Sequence, residues 1–290
     1  MEKSSMRVFY QSSGVFGDPV ASRLIQTLKN IYSDEIYLSF CNNFAPNVYL
    51  LSEKIKQAES VFIWNGSEAG CFWVIEICES FNIPYCVFER GLFPQSDSNF
   101  MVDMKGISCR SESIRERYLN KSELPNNFRT IAKHYSDREI TRKPPKEKYV
   151  FVFQLEFDST VYHYSSYNSN EEMVDQFIAS NDIDPSTVVV CPHPRNKGIT
   201  SKYKISNRNT IKECEDACVA IGISSTVMYE ILGMGCPVKV LGGNVKMVHP
   251  INREWSSKEL IIPCILQNQF DSSDPEEQIF EKIQRNMRIK

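Results

Sequence analysis

Short runs that are apolar from end to end alternate with longer amphipathic ones from residue 6 to residue 91, and after a break the alternation resumes at 149. A run without a polar face is at home only where both sides of a sheet are covered, so a segment such as Val61 to Trp64 reads as a parallel strand between two helical layers. The first series reads strand 6–11, helix 17–32, strand 35–40, helix 47–58, strand 60–66, helix 68–82 and strand 84–91. The second reads strand 149–155, helix 170–181, strand 186–194, strand 218–224, helix 226–234 and strand 236–243. Two Rossmann-like α/β domains are the expected result. Residues 97–147 are highly charged and end in a Pro-Pro pair, which marks a linker. The expected division is 1–145, linker region included, and 146–290. The second part includes an amphipathic helix over 274–289, with Ile279, Phe280, Ile283 and Met287 on one stripe, packing back across the junction.

Several of these strands are expected to end in residues suited to a ligand. Val188 to Val190 carries Pro192, His193, Pro194 and Arg195 to the carboxyl end of a strand, where open α/β sheets bind their ligands. Gly222, Ser224, Ser225 and Thr226 stand where the next strand turns into a helix, and amides with two hydroxyls there suit an anion such as phosphate. An ordinary N-cap is the plainer reading of the Ser-Ser-Thr cluster, and both readings stay open. The segments 64–70, 88–98 and 153–160 also fall at expected strand ends, and each brings a carboxylate or a glycine permitting close approach.

Composition narrows the functional classes. With 33 basic and 36 acidic residues the net charge is −3, which offers no electrostatic basis for a nucleic-acid partner or a polybasic membrane anchor. No apolar run approaches the roughly 18 residues of a membrane span, and the start moves directly into a strand without a signal-like stretch, so a cytoplasmic location is expected. The ten cysteines lack C-x-x-C or zinc-site spacing, and Cys71, Cys78, Cys86, Cys191 and Cys236 fall on apolar faces as reduced core thiols. His134, His163 and His249 have no usable partner spacing. Tyr162, Tyr164 and Tyr167, beside Asp158, suit either stacking on sugar or packing of a loop.

Trp64-Asn65-Gly66, Glu89-Arg90-Gly91, the stretch from Gln154 to Asp158, His193-Pro194 and Ser224-Ser225 occur in that order across most of the chain. In these pieces the chain resembles the capsule-polysaccharide and lipopolysaccharide transferases that move Kdo (3-deoxy-D-manno-octulosonic acid) from CMP-Kdo. The resemblance implies a GT-B glycosyltransferase, with two Rossmann-like domains facing across a cleft, an acceptor-side domain first and a CMP-sugar-binding domain second. It implies that His193, Pro194, Arg195, Ser224 and Ser225 surround the CMP phosphate and that Glu230 reaches the ribose. Asp158 matches the nucleophile of the retaining β-Kdo transferases, and Glu89 matches the acid/base of the opposite domain. Retention needs such a pair, one group to attack the anomeric carbon and one to activate the incoming hydroxyl. Arg90 or Arg195 would neutralise the donor's carboxylate, and Asn65, Gly66, Arg90 and Gln154 would contact substrate. No metal or other cofactor is expected. The implied partners are CMP-Kdo, an oligosaccharide or glycolipid acceptor and membrane-bound assembly proteins, with peripheral association at an inner membrane.

Structural roles compete at several of these positions. Glu89 and Arg90 also suit a solvated pair at a strand end, Asp158 with Ser159 an Asx-type turn, and Asn65-Gly66 a turn shaped by sheet geometry. Two other functions stay open. One is an inverting CMP-sialic acid sialyltransferase, which needs a single base and commonly has an acidic pair before glycine where this chain has Glu89-Arg90-Gly91. The other is a non-catalytic nucleotide-sugar-binding protein of a polysaccharide assembly complex.

Overall fold

The structure, a computed structural model, describes residues 6–11, 18–32, 36–40, 48–66, 69–92, 95–106, 147–158, 161, 165–196, 198–244, 247–248, 251 and 265–287. The chain divides into two compact units, one formed by Met1–Asn120 with Cys264–Lys290 and the other by Lys121–Pro263. Each unit is mixed α/β around a sheet with a parallel centre.

In the first unit, strands β1 (Arg7–Gln11), β2 (Ile36–Phe40), β3 (Ser60–Trp64) and β4 (Tyr85–Arg90) run parallel, with helices α1 (Pro19–Ile31), α2 (Val48–Gln57) and α3 (Ala69–Phe81) between them. Successive side chains of β3 show why these strands carry no polar face. Phe62 and Trp64 pack with Val20, Leu24 and Leu28 of α1, while Val61 and Ile63 pack with Ile55 of α2 and Val74 and Cys78 of α3. Helix α1 starts at Pro19, whose fixed φ suits the first turn, and the Asp18 carboxylate accepts from the Val20 amide at 3.0 Å.

Two strands of this sheet lie outside the sequence expectation. Strand β5 (Asn99–Asp103) pairs antiparallel with β4, inside the stretch read as linker, and buries Phe100, Met101 and Val102 completely. A far later strand, Gln269–Asp271, pairs antiparallel with β5, setting Phe270 opposite Phe100. The Phe270 ring then stands edge-on to Phe88, with centroids 6.3 Å apart. The helix that follows, Glu276–Asn286, buries Ile279 and Ile283 in the same core as α1. The expected boundary at 145/146, with all of 146–290 in the second domain, is thus corrected at its end. The terminal strand and helix join the first unit because their apolar groups complete its aromatic core. Within the expected stripe, Phe280 is 41% exposed and Met287 only partly buried.

The second unit's sheet has the order β10-β9-β6-β7-β8, from β6 (Tyr149–Val152), β7 (Val188–Cys191), β8 (Lys204–Ile205), β9 (Val219–Gly222) and β10 (Val238–Val240). All its pairings are parallel. Helices α4 (Asn170–Asn181), α5 (Thr210–Glu213) and α6 (Val227–Gly233) connect them, and α7 is the terminal Glu276–Asn286. Short strands β11 (Gly243–Asn244) and β12 (Met247–Val248) form a separate antiparallel pair, and Gln269–Asp271 is β13. Cys71, Cys78, Cys86, Cys191 and Cys236 are buried thiols, as expected of the core, and burial pushes the Cys191 thiol up to about 11. Among the described residues no helix is long and apolar enough to cross a membrane. His134, His163, His249, Tyr162, Tyr164 and most of the charged stretch, 107–146, lie outside the described residues.

Candidate active site

Strand β6 is the switch point of the second sheet. From it the chain proceeds to β7 and β8 on one side, then returns to β9 and β10 on the other, so the connections leaving β6 and β9 part and open a crevice at their carboxyl ends. Register makes this a single level: Val152 pairs with Cys191 on one side and Gly222 on the other. The segments beginning at Phe153, Pro192 and Ile223 therefore start side by side, and the Phe153 amide donates to the Cys191 carbonyl at 2.9 Å.

After β6, Gln154 is buried and Asp158 half-buried. The Asp158 amide closes a turn by donating to the Leu155 carbonyl at 3.0 Å, and neighbouring Phe157 is 99% exposed. After β7, His193 is half-buried while Pro194 and Arg195 are exposed. The Arg195 amide donates to His193 Nδ1 at 3.1 Å, so Nδ1 is unprotonated and the neutral ring carries its proton on Nε2. Partial burial and the Arg195 charge hold the His193 pKa below its ordinary value, with Asp158 opposing them, which puts Asp158 within electrostatic reach of the imidazole. We expect nitrogen NMR at pH 7 to find His193 neutral with Nε2 protonated, titrating below 6.5. An Nδ1-protonated ring, or a midpoint above that value, would contradict this geometry.

After β9, the expected pair of serine donors separates into two environments. Ser224 is buried, its amide donating to Gln154 Oε1 at 2.7 Å and its hydroxyl lying 3.3 Å from both the oxygen and the nitrogen of the same amide. Ser225 is half-buried, and its carbonyl accepts from the Met228 amide at 3.1 Å. Helix α6 begins at Val227 without a side-chain cap from Thr226, whose backbone is already helical. Glu230 is half-buried in the first turn of α6.

In the first unit, the Trp64-Asn65-Gly66 and Glu89-Arg90-Gly91 segments also lie together. Trp64 pairs with Phe88, and the Asn65 amide donates to the Phe88 carbonyl at 2.9 Å. Asn65 takes a left-handed conformation, φ 57°, which asparagine tolerates better than most residues. A Cβ on Gly66 would come within 2.5 Å of Val87 Cγ1, and one on Gly91 within 2.7 Å of Asn99 Cβ. Both glycines thus answer to the protein's own packing. Glu89 is buried near the end of β4. Arg90 is paired with Asp97 at 3.4 Å and Asp18 at 3.6 Å, and its charge is shared between two carboxylates before any substrate arrives.

No protein-family model matches the chain, and no curated protein sequence does. Among solved structures, a β-Kdo 2,7 transferase, KpsC of Thermosulfurimonas dismutans, superposes with a TM-score of 0.60 at 18% identity, over 96% of this chain and 99% of that one. The two chains share a fold. A UDP-N-acetylglucosamine 2-epimerase from Rickettsia bellii overlaps 97% of both chains at 9% identity, with a TM-score of only 0.34.

Sequence reasoning missed the groups that hold these segments. Asn170, Asp18, Asp97 and Gln269 each bond to a strand-end segment, Gln269 through Oε1, which accepts from the Leu92 amide at 2.8 Å. Their partners are 16 to 177 residues away or lie across a turn, and a polar residue at a helix start or strand end looks solvated in the sequence. Among the described residues no group of three or more His, Cys, Asp or Glu is arranged to hold a metal ion.

Proposed function

We propose that the chain is a retaining β-Kdo glycosyltransferase of GT-B architecture, moving Kdo from CMP-Kdo to a capsule or O-antigen/lipopolysaccharide acceptor. The observation that carries this is the level row of Val152, Cys191 and Gly222, from which a carboxylate, an imidazole and a serine pair leave the switch point of one sheet. The fold shared with a β-Kdo 2,7 transferase supports it. In this assignment His193 Nε2 and the Ser225 hydroxyl hold the CMP phosphate beside Pro194 and Arg195, Ser224 acts through Gln154, and Glu230 meets the ribose. The Asp158 carboxylate attacks the anomeric carbon, and the bond to the phosphate oxygen breaks with its electron pair leaving on CMP. The acceptor oxygen then attacks the same carbon, Asp158 departs as carboxylate, and the hydroxyl proton passes to Glu89. Two displacements preserve the donor's configuration. Asn65, Gly66 and Arg90 are assigned to the acceptor side.

We assign no metal or other cofactor to these steps. The test is incubation with CMP-Kdo and with CMP-sialic acid separately, in EDTA, following CMP release. Release from CMP-Kdo is expected. Release from CMP-sialic acid alone would replace this assignment by an inverting sialyltransferase with Glu89 as its base, and CMP binding without turnover of either donor by a non-catalytic binding role. Turnover that needs added magnesium or manganese would mean that the phosphate is held differently. His193→Ala is expected to weaken CMP binding by about 1.5–3 kcal/mol, the usual range for one charge-assisted hydrogen bond, in a calorimetric titration of the folded variant.

A further inference from the structure

Asn170 takes no part in the steps assigned above, yet it ties the site's segments together. Helix α4 is capped by Ser169, whose hydroxyl oxygen accepts from the Glu172 amide at 3.1 Å, and Met173, Val174 and Phe177 anchor its inner face in the core beneath β6. That fixes the first helical residue, Asn170, which is 3% exposed. Its Oδ1 accepts from the Gln154 amide at 3.1 Å and its Nδ2 donates to the Gln154 carbonyl at 2.9 Å. The side-chain amide thus pairs with Gln154 as a neighbouring strand would, just beyond the end of β6. Gln154 in turn holds the Ser224 amide through Oε1 at 2.7 Å.

We propose that Asn170 is a positioning residue for the donor site, locking through Gln154 both the segment that carries Asp158 and the segment that carries Ser224 and Ser225. The proposal rests on the functional assignment above. A buried two-point clamp of this kind fixes backbone atoms in the geometry a bound phosphate requires, and its loss leaves a buried amide and carbonyl without their partner. Among the described residues the Asn170 side chain's hydrogen bonds run to Gln154, so replacing it should loosen both segments without removing any ligand-contacting group.

The test compares Asn170→Ala, Asn170→Asp and Met173→Ala, the last a core truncation one turn further along the same helix. Calorimetric titration with CMP and amide exchange by NMR are read on the same samples. Asn170→Ala is expected to bind CMP about tenfold more weakly and to exchange the Gln154 and Ser224 amides about tenfold faster relative to those of Val150 and Phe151. Asn170→Asp keeps an acceptor for the Gln154 amide and loses the donor to its carbonyl, so it should fall between Asn170→Ala and the parent protein. Met173→Ala should lose stability while keeping CMP affinity within twofold of the parent. CMP affinity and relative exchange unchanged in Asn170→Ala, or an equal affinity loss in Met173→Ala, would overturn the proposal. If the parent protein binds no CMP, the functional assignment falls, whereas faster exchange in Asn170→Ala would still be seen if the clamp itself operates.

Discussion

Asp158→Asn is expected to lower Kdo transfer by about a thousandfold or more while leaving CMP binding intact, since loss of a nucleophile removes the route itself and not just one contact. The exchange is nearly isosteric, and the turn it stands in is closed by its backbone amide and the Leu155 carbonyl, neither of which changes. Removing a carboxylate within reach of His193 also removes repulsion toward a phosphate there, so CMP affinity should hold or tighten slightly. Intact-mass measurement after mixing the parent protein with CMP-Kdo should find a population heavier by one Kdo residue, with the added mass on the peptide containing Asp158. Glu89→Gln should slow transfer and let that adduct build up, because the second step loses its base while the first does not use it. An inverted product, or full activity in Asp158→Asn, would remove the double displacement.

The other large effect concerns stability. Lys148→Met is expected to destabilise the second unit by about 3–5 kcal/mol at pH 7, measured by urea unfolding. Lys148 immediately precedes β6, and its ammonium donates to the Glu213 carbonyl at 2.8 Å, to Glu213 Oε1 at 3.0 Å and to Asp216. The three side chains are 14%, 9% and 13% exposed, so removing the cation withdraws a close positive charge from two largely buried carboxylates. Burial alone would lower the Lys148 pKa, but hydrogen bonds to Asp216 and Glu213 outweigh it and hold it above 10.5. Burial likewise works against ionisation of Glu213, but the Ser206 hydroxyl and Lys148 hold its pKa below 4.5. A raised lysine stabilises fully below its ordinary pKa and loses that contribution as pH climbs through the raised value. A depressed carboxyl stabilises fully above its ordinary pKa and loses that contribution as pH falls through the depressed value. The cluster therefore contributes fully between about 4.5 and 10.5. The gap between variant and parent should narrow as the medium is made more acid than that window, and a constant gap down to the acid transition would contradict the account.

The parallel strands other than the exposed, two-residue β8 were legible because burial on both faces leaves an unbroken apolar run, a signal contained within each segment. β5 and β13 were not, because each is short and its partner is set by distant chain: Phe270 means little until Phe100 and Phe88 are beside it. The strand-end location of His193, Asp158 and Ser225 was legible for a related reason, since a strand's last apolar residue marks where its loop begins. The environment of Ser224 was not, because its hydrogen bonds depend on Gln154 lying just beyond the end of the adjacent strand, 70 residues earlier. Asn170 gave no signal for the same reason. Its two bonds run to backbone atoms, which every residue possesses, so no side-chain pattern announces them.

The return of β13 and α7 to the first unit makes the second unit an insertion within the first. Synthesis from the amino end usually lets the earlier domain fold before the later one is made. Here that order is reversed. Until the ribosome has passed residue 271, β5 lacks its outer neighbour and Phe88 and Phe100 lack Phe270, whereas every strand of the inserted sheet has already emerged. The unit begun first is the one finished last, and a nascent chain stalled or cut before that point would hold a complete inserted sheet beside an open aromatic core.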